Sequence, residues 1–253
     1  VRIQRINQIE NYLNINGAAS VQELRDKFNV SLNTIRRDID ELQSRGIISK
    51  VYGGIVLNKD SDVVPFSTRS VSNKQEKEII CEIASSLLVP NSTIYIDSGT
   101  TTIPLLKHID PDMNITIVSN SLNVFNEATK YPGLSVISLG GLLSEKTNSF
   151  IGIAAINHLR EYSINKAFMT ATAVSLDDGA TNNSFHESEI KKSVILQSNE
   201  IVMLADSSKL SKQASLSFCP LDKVDVFVTD KKPSEEFAVY FESHAIDLLY
   251  DKQ

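Results

Sequence analysis

The chain has 253 residues and a net charge of −6, and its 42% apolar and 22% charged residues are ordinary for a globular protein, with room for a short domain beside a medium one. No window reaches the roughly 18 uninterrupted apolar residues of a spanning helix, and the opening stretch 1–5 has charge but no apolar run, so no secretory signal is expected. Cys81 and Cys219 stand far apart with no CxxC spacing and no nearby His cluster; they read as reduced core thiols of a cytoplasmic chain with no metal site or cofactor.

In chain order, Ile3, Ile6, Ile9 and Leu13 recur at helical spacing up to Asn16-Gly17. Ser20-Val21-Gln22-Glu23 is a capping box, and Val21, Leu24 and Phe28 form the inner face of a short second helix. After a turn at Asn29-Val30, Ser31 is placed to cap a third helix with Ile35, Ile39 and Leu42 inward, stopped at Gly46. The β-rich run from Ile47 to Leu57, broken by Gly53-Gly54, predicts a two-stranded wing. Residues 1–57 therefore read as a winged helix-turn-helix. Residues 58–73 read as a polar linker containing Pro65, and 74–253 as a larger domain.

In that larger domain apolar strands alternate with amphipathic helices. Helices are predicted near 74–88, after Thr100, and near 120–130, 152–162 and 186–198. Strands are predicted at Thr93–Ile96, Ile115–Val118, Leu134–Leu139, Ala167–Val174, Ile201–Ala205 and Val224–Val228. Such alternation implies an α/β domain with a mostly parallel sheet covered on both faces.

On the third helix, the positions opposite the apolar stripe are Asn33, Arg37 and Ser44, with Thr34 and Arg36 on the flanks. Asn and Arg can each make paired hydrogen bonds to base edges in the major groove, and these sit in the first two turns, the part of such a helix that enters it. Asp40 points outward one turn later and would repel phosphate. Lys50, Tyr52 and Gly53 are candidate wing contacts. The charge is asymmetric: residues 1–57 hold eight Lys or Arg against six Asp or Glu, a net of +2, which leaves −8 on the remainder. A basic head on an acidic body still binds a phosphate backbone locally.

Four polar clusters fall at the C-terminal ends of predicted strands: Asp97-Ser98-Gly99-Thr100-Thr101-Thr102, Ser119-Asn120, Gly140-Gly141 and Asp206-Ser207-Ser208-Lys209. Ligands of open parallel sheets bind beyond those ends, and a Gly/Ser/Thr turn entering a helix offers N–H groups to an anion. In the helix near 186–198, Glu187 and Lys191 fall inside the apolar face, whereas Lys192 lies on the solvent side. A lysine so placed is expected to point into a ligand pocket, with Glu187 pairing with it or bonding a sugar hydroxyl.

Val30-Ser31-Leu32-Asn33-Thr34-Ile35-Arg36-Arg37-Asp38-Ile39, then Leu42, Gly46 and Tyr52-Gly53-Gly54, closely resembles the helix-turn-helix signature of DeoR-type regulators. The strings IDSGTTT (96–102), SNSLNV (119–124), HESEIKK (186–192), ADSSK (205–209) and VTD (228–230) resemble the sensor domain of the same family, which is similar to the sugar-phosphate isomerase and CoA-transferase fold. Thr170-Ala171-Thr172-Ala173 departs from the family, where many members carry glycines, a departure expected to reshape one pocket wall and to leave the exact ligand open. The resemblance implies operator DNA and a phosphorylated sugar or related metabolite as partners. The expected protein is a homo-oligomeric (dimeric or tetrameric) regulator of carbohydrate uptake or catabolism, more often a repressor than an activator. The rival expectation is a sugar-phosphate isomerase with a DNA-binding head, using Asp97, Glu187 or Asp206 as base and Lys191 or Lys209 to hold phosphate.

Overall fold

The computed structural model describes residues 2, 5, 6, 8, 9, 12, 13, 18–44, 48–51, 54–57 and 63–252. They divide into two compact units, Val1–Ser61 and Asp62–Gln253. The expectations placed on Ile3, Asn16-Gly17, Gly46, Ile47, Tyr52 and Gly53 lie outside the described residues.

In the first unit, helix Val21–Phe28 begins at the predicted capping box: the Glu23 N–H donates to the Ser20 hydroxyl at 3.0 Å and the Ser20 N–H to the Glu23 carboxylate at 3.3 Å. Asn29 ends the helix in the left-handed region, at φ 48°. Ser31 then accepts from the Thr34 N–H at 3.2 Å and starts helix Leu32–Ser44. The core combines Ile6, Ile9 and Leu13 with Leu24, Ile35, Ile39, Leu42, Ile48 and Ile55, the apolar stripe anticipated from spacing. One polar group breaks it. Asp38 is 1% exposed and is held by Arg5 at 2.6 Å, with Arg2 at 3.5 Å.

The wing has three strands instead of two: β1 (Ala18–Ala19), β2 (Ile48–Val51) and β3 (Gly54–Leu57) pair antiparallel in the order β1-β3-β2. A two-residue strand carries no alternation to read, so β1 left no trace in the sequence. Its pairing explains Gly54, where a Cβ would run into the Ala19 carbonyl oxygen. That glycine serves the sheet's own packing.

The second unit is built on a seven-stranded, wholly parallel sheet. Its strands are β4 (Thr93–Ile96), β5 (Thr116–Ser119), β6 (Ser135–Ser138), β9 (Ile164–Thr170), β12 (Ser198–Leu204), β14 (Val226–Thr229) and β15 (Asp247–Tyr250), in the order β15-β14-β12-β9-β4-β5-β6. Hairpin β7 (Leu142–Ser144) with β8 (Ser149–Ile151), and an antiparallel sheet of β10 (Ala173–Ser175), β11 (Gly179–Asn182) and β13 (Leu216–Cys219), are appended. In β4, β5, β9, β12 and β14 burial is continuous toward the carboxyl end, as a sheet covered on both faces requires, and successive side chains go to opposite cores. Ala167, Met169, Met203 and Phe227 pack on one face with helices Ile153–Leu159, Phe185–Gln197 and Glu235–Ser243. Phe168, Val202, Leu204, Val226 and Val228 pack on the other with helices Lys74–Ser85 and Leu122–Ala128.

The sequence expectation needs two corrections here. Residues 66–71 of the stretch read as a linker are helical and belong to the second unit, where the Phe66 N–H donates to the Lys146 carbonyl at 3.0 Å. The segment after Thr100 is a 3-10 helix, Ile103–His108, with proline in its first turn. Among the described residues no helix is long and apolar enough to cross a membrane.

Candidate functional site

The chain runs outward from β4 through β5 to β6, then returns to lay β9 on the other side of β4. That reversal opens a crevice between β4 and β9 at their carboxyl ends, the place where open α/β sheets bind ligands. A cavity of about 140 Å³ lies there, lined by Gly99 and Thr100 after β4, Thr170 at the end of β9 with Ala171 and Thr172 beyond it, and Asp206 and Lys209 after β12. Asn182 from β11, Glu187 and Lys191 from the helix above, and Val64, Arg69, Ser72, Asn73 and Lys77 complete the wall. The volume suits a small polar metabolite and is well below the several hundred Å³ of a drug-sized site.

Asp97 lies beneath the cavity, 1% exposed. One of its oxygens accepts from the Thr170 N–H at 3.1 Å, the Thr170 hydroxyl at 2.7 Å and the Lys191 ammonium. Lys191 also donates to the Thr170 carbonyl at 2.7 Å. Burial pushes the Asp97 carboxyl upward, but the Lys191 charge and these hydrogen bonds outweigh it and hold the group below its ordinary value. Gly99 is fixed by the same knot, since a Cβ there would overlap the Thr170 hydroxyl. Of the two roles anticipated for Glu187, the pairing with Lys191 is not made; Glu187 accepts from the Ser98 hydroxyl at 3.2 Å, and burial raises its pKa against the pull of Lys191 and Arg69.

On the other side, Asp206 accepts from the Asn73 amide at 3.1 Å and the Ser208 N–H at 3.2 Å, and faces Lys209 at 3.6 Å. Lys209 reaches the Thr101 hydroxyl at 3.2 Å. Burial, opposed by Asp206 and reinforced by the charges of Lys77, Lys191 and Arg69, lowers Lys209 to about 8. Lys77 is buried and donates to the carbonyls of Arg69 and Ser72, each at 2.6 Å. Four basic side chains against two acidic ones line the wall, a cationic focus within an acidic domain and a fit for an anion.

Of the sequence-derived sensor residues, the cavity wall contains Gly99, Thr100, Glu187, Lys191, Asp206 and Lys209. Asp97, Ser98 and Thr101 support it from behind through the bonds given above. Asn120, Gly140 and Gly141 are elsewhere: they follow β5 and β6, one and two strands beyond β4. The Asn120 amide is used internally by the Tyr95 hydroxyl at 2.8 Å and the Phe150 carbonyl at 2.9 Å, and a Cβ on Gly141 would meet the Ile151 carbonyl. Thr170, Ala171 and Thr172, from the stretch that departs from the family, line the wall, whereas Arg69, Asn73, Lys77 and Asn182 were not anticipated as site residues.

In the first unit, Asn33, Arg36 and Arg37 are exposed on helix Leu32–Ser44 and Thr34 is half-buried. Ser31 and Thr34 share a hydroxyl hydrogen bond of 2.8 Å at its start. Lys50 is exposed on β2 but is turned to Asp40 of the same helix at 2.6 Å, so the carboxylate that would repel phosphate is neutralised from within.

A helix-turn-helix with a three-stranded wing, in one chain with an α/β domain that has a cationic cavity at its strand reversal, defines a DNA-binding regulator with a small-molecule sensor. The family model for the DeoR-like helix-turn-helix domain matches residues 5–61, and that for the DeoR C-terminal sensor domain matches residues 72–231. The chain is 38% identical to the HTH-type transcriptional regulator IolR of Bacillus subtilis, over 98% of this chain and 99% of that one. It is 28% identical to the glycerol-3-phosphate regulon repressor of Escherichia coli, over 97% of each. A ribose 5-phosphate isomerase A from Methanocaldococcus jannaschii is a distant structural likeness, with a TM-score of 0.42 at 20% identity over 56% of each chain. The chain belongs to the DeoR family of transcriptional regulators.

Proposed function

We propose that this protein represses a carbohydrate uptake or catabolism operon and is released from its operator by a phosphorylated sugar bound in the 140 Å³ cavity. The observation that carries this reading is the concentration of Arg69, Lys77, Lys191 and Lys209 around one crevice of an otherwise acidic domain. In this reading the phosphate sits against the Gly99–Thr101 turn and Lys209, and Glu187 and Asp206 accept from sugar hydroxyls. Asn33, Arg36 and Arg37 read bases, with Ser31, Thr34 and Lys50 near the backbone; Tyr52 and Gly53 are retained as wing contacts from sequence alone. The name of one relative, a glycerol-3-phosphate regulon repressor, agrees with a repressor in small-carbon metabolism.

The protein is further proposed to be cytoplasmic and to act as a homo-oligomer on paired half-sites. It is proposed to be a sensor without turnover; Asp97, one of the three candidate bases of the rival isomerase, is salt-bridged to Lys191 and held below its ordinary pKa. The test is retardation of the chain's own upstream DNA, with and without a panel of sugar phosphates. Release by at least one member, with no isomerisation of it, supports the reading. DNA binding indifferent to the whole panel, or catalysis lost on Asp97→Asn, would overturn it.

A further inference from the structure

Two buried donors on the cavity wall have no protein partner. Arg69 spends Nε on the Val64 carbonyl at 3.0 Å, and its Nη2 is buried without a hydrogen bond. Asn182 is 2% exposed; its Oδ1 is taken by the Ser188 hydroxyl at 2.5 Å, which leaves Nδ2 buried and unpaired. A buried donor left unmade is destabilising, more so when charged, so native structures rarely carry one, and two on one cavity wall point to a common acceptor. The two come from different elements: Arg69 from helix Phe66–Val71 and Asn182 from the end of β11. The charge of Arg69 is also felt at both Glu187 and Lys209.

We propose that Arg69 and Asn182 read the oxygen atoms of the sugar moiety, as a specificity pair separate from the groups that hold the phosphate. This rests on the reading of the cavity as the effector site. Glu187 and Asp206 on the same wall are acceptors and Arg69 and Asn182 are donors, so the site satisfies hydroxyls that both give and receive. Inorganic phosphate satisfies neither free donor while it remains at the Gly99–Thr101 turn. Arg69 also lies in the first described segment after the DNA-binding unit, so the sugar engages directly the stretch of chain that leads away from the head. Lys77 holds that stretch through the Arg69 and Ser72 carbonyls, and Asn73 holds it through Asp206 and Ser208.

The experiment is calorimetric titration of the full chain with glucose 6-phosphate, fructose 6-phosphate, glycerol 3-phosphate and inorganic phosphate, with folding of every variant checked by circular dichroism and thermal unfolding. Wild type is expected to bind at least one sugar phosphate more tightly than inorganic phosphate. Arg69→Gln and Asn182→Ala are each expected to weaken that sugar phosphate ~tenfold or more, the scale of one lost hydrogen bond to a buried or charged group, and to weaken inorganic phosphate far less. Arg69→Lys, which keeps the charge and removes Nη2, is expected to behave like Arg69→Gln. Sugar-phosphate affinity unchanged in the variants, or restored in full by Arg69→Lys, would overturn the pair while leaving the cavity as the effector site. Wild type that binds no sugar phosphate would remove the cavity reading itself, and the pair with it.

Discussion

Arg37 shows what one side chain is asked to do. It is exposed in the second turn of helix Leu32–Ser44, and Arg37→Ala is expected to cost ~1–3 kcal/mol of operator affinity and to relax base preference, measured by retardation on operator variants; unchanged discrimination would displace it from the groove. Lys191 requires a different expectation. Because it neutralises buried Asp97, Lys191→Ala strands a carboxylate and is expected to destabilise the sensor by ~3–5 kcal/mol in denaturant unfolding, with Asp97→Asn in the same chain recovering much of that. Lys209, lowered to about 8, gives a pH signature. Its ammonium is available to a phosphate below that value and lost above it, so effector affinity is expected to hold from about pH 7 to 8 and to fall by up to ~tenfold per unit beyond. Bound phosphate stabilises the ammonium, so binding near pH 8 takes up protons, visible as a buffer-dependent calorimetric heat. For the free protein the sign is opposite: a lysine depressed on folding weakens the fold where it is charged, and that cost eases as pH climbs from about 8 toward the unfolded value. Lys191 was legible because it interrupts an apolar helical face. Lys77 carries the same signal, lying on one stripe with Ile80, Cys81 and Ala84, and the same wheel arithmetic finds it. Arg69 carries none, since its segment is polar and the cavity groups it joins, such as Glu187 and Lys209, lie far along the chain.

At the scale of elements, legibility followed the strength of local pattern. The capping box at Ser20, the inward stripe of helix Leu32–Ser44 and strand β4 stand where spacing placed them. Ala167–Val174 reads as one strand but is divided into β9 and β10, because Ala171 and Thr172 turn away to line the cavity; no propensity records that bend. Helix Glu235–Ser243 and β15 were left unread although Phe237 and Phe241 sit four apart on the buried side. Groups after β4 and β12 line the cavity, whereas those after β5 and β6 lie elsewhere, because strand order is a tertiary fact. The turn after β4 is the element most constrained by its neighbour. Gly99→Ala would press on a Thr170 hydroxyl already bonded to Asp97, with an expected loss of ~1–3 kcal/mol. Adding Thr170→Ala should return part of it in a double-mutant cycle, and strict additivity would mean the two do not touch.

For the whole molecule the issue is how an acidic chain holds DNA. The head has few cations to spend, and one of them, Lys50, is paired with Asp40. Asp40→Asn frees that ammonium and is expected to steepen the dependence of log affinity on log salt by about one unit per head, since each phosphate newly neutralised releases about one counterion. An unchanged slope would keep Lys50 away from the backbone. The asymmetry visible in the sequence, +2 on residues 1–57 and −8 beyond, then limits non-specific adhesion along DNA.

The position of β9 has a consequence for descent. It is inserted between β4 and β12, and beyond its last paired residue, Thr170, the chain turns off the sheet at Ala171 and Thr172 just where the crevice opens. Side chains there can be exchanged without disturbing a single inter-strand bond, whereas Asp97, Gly99 and Lys191 cannot change without undoing the knot beneath. Duplicated copies of such a gene would therefore diverge in the nutrient they answer to while inheriting an unaltered frame.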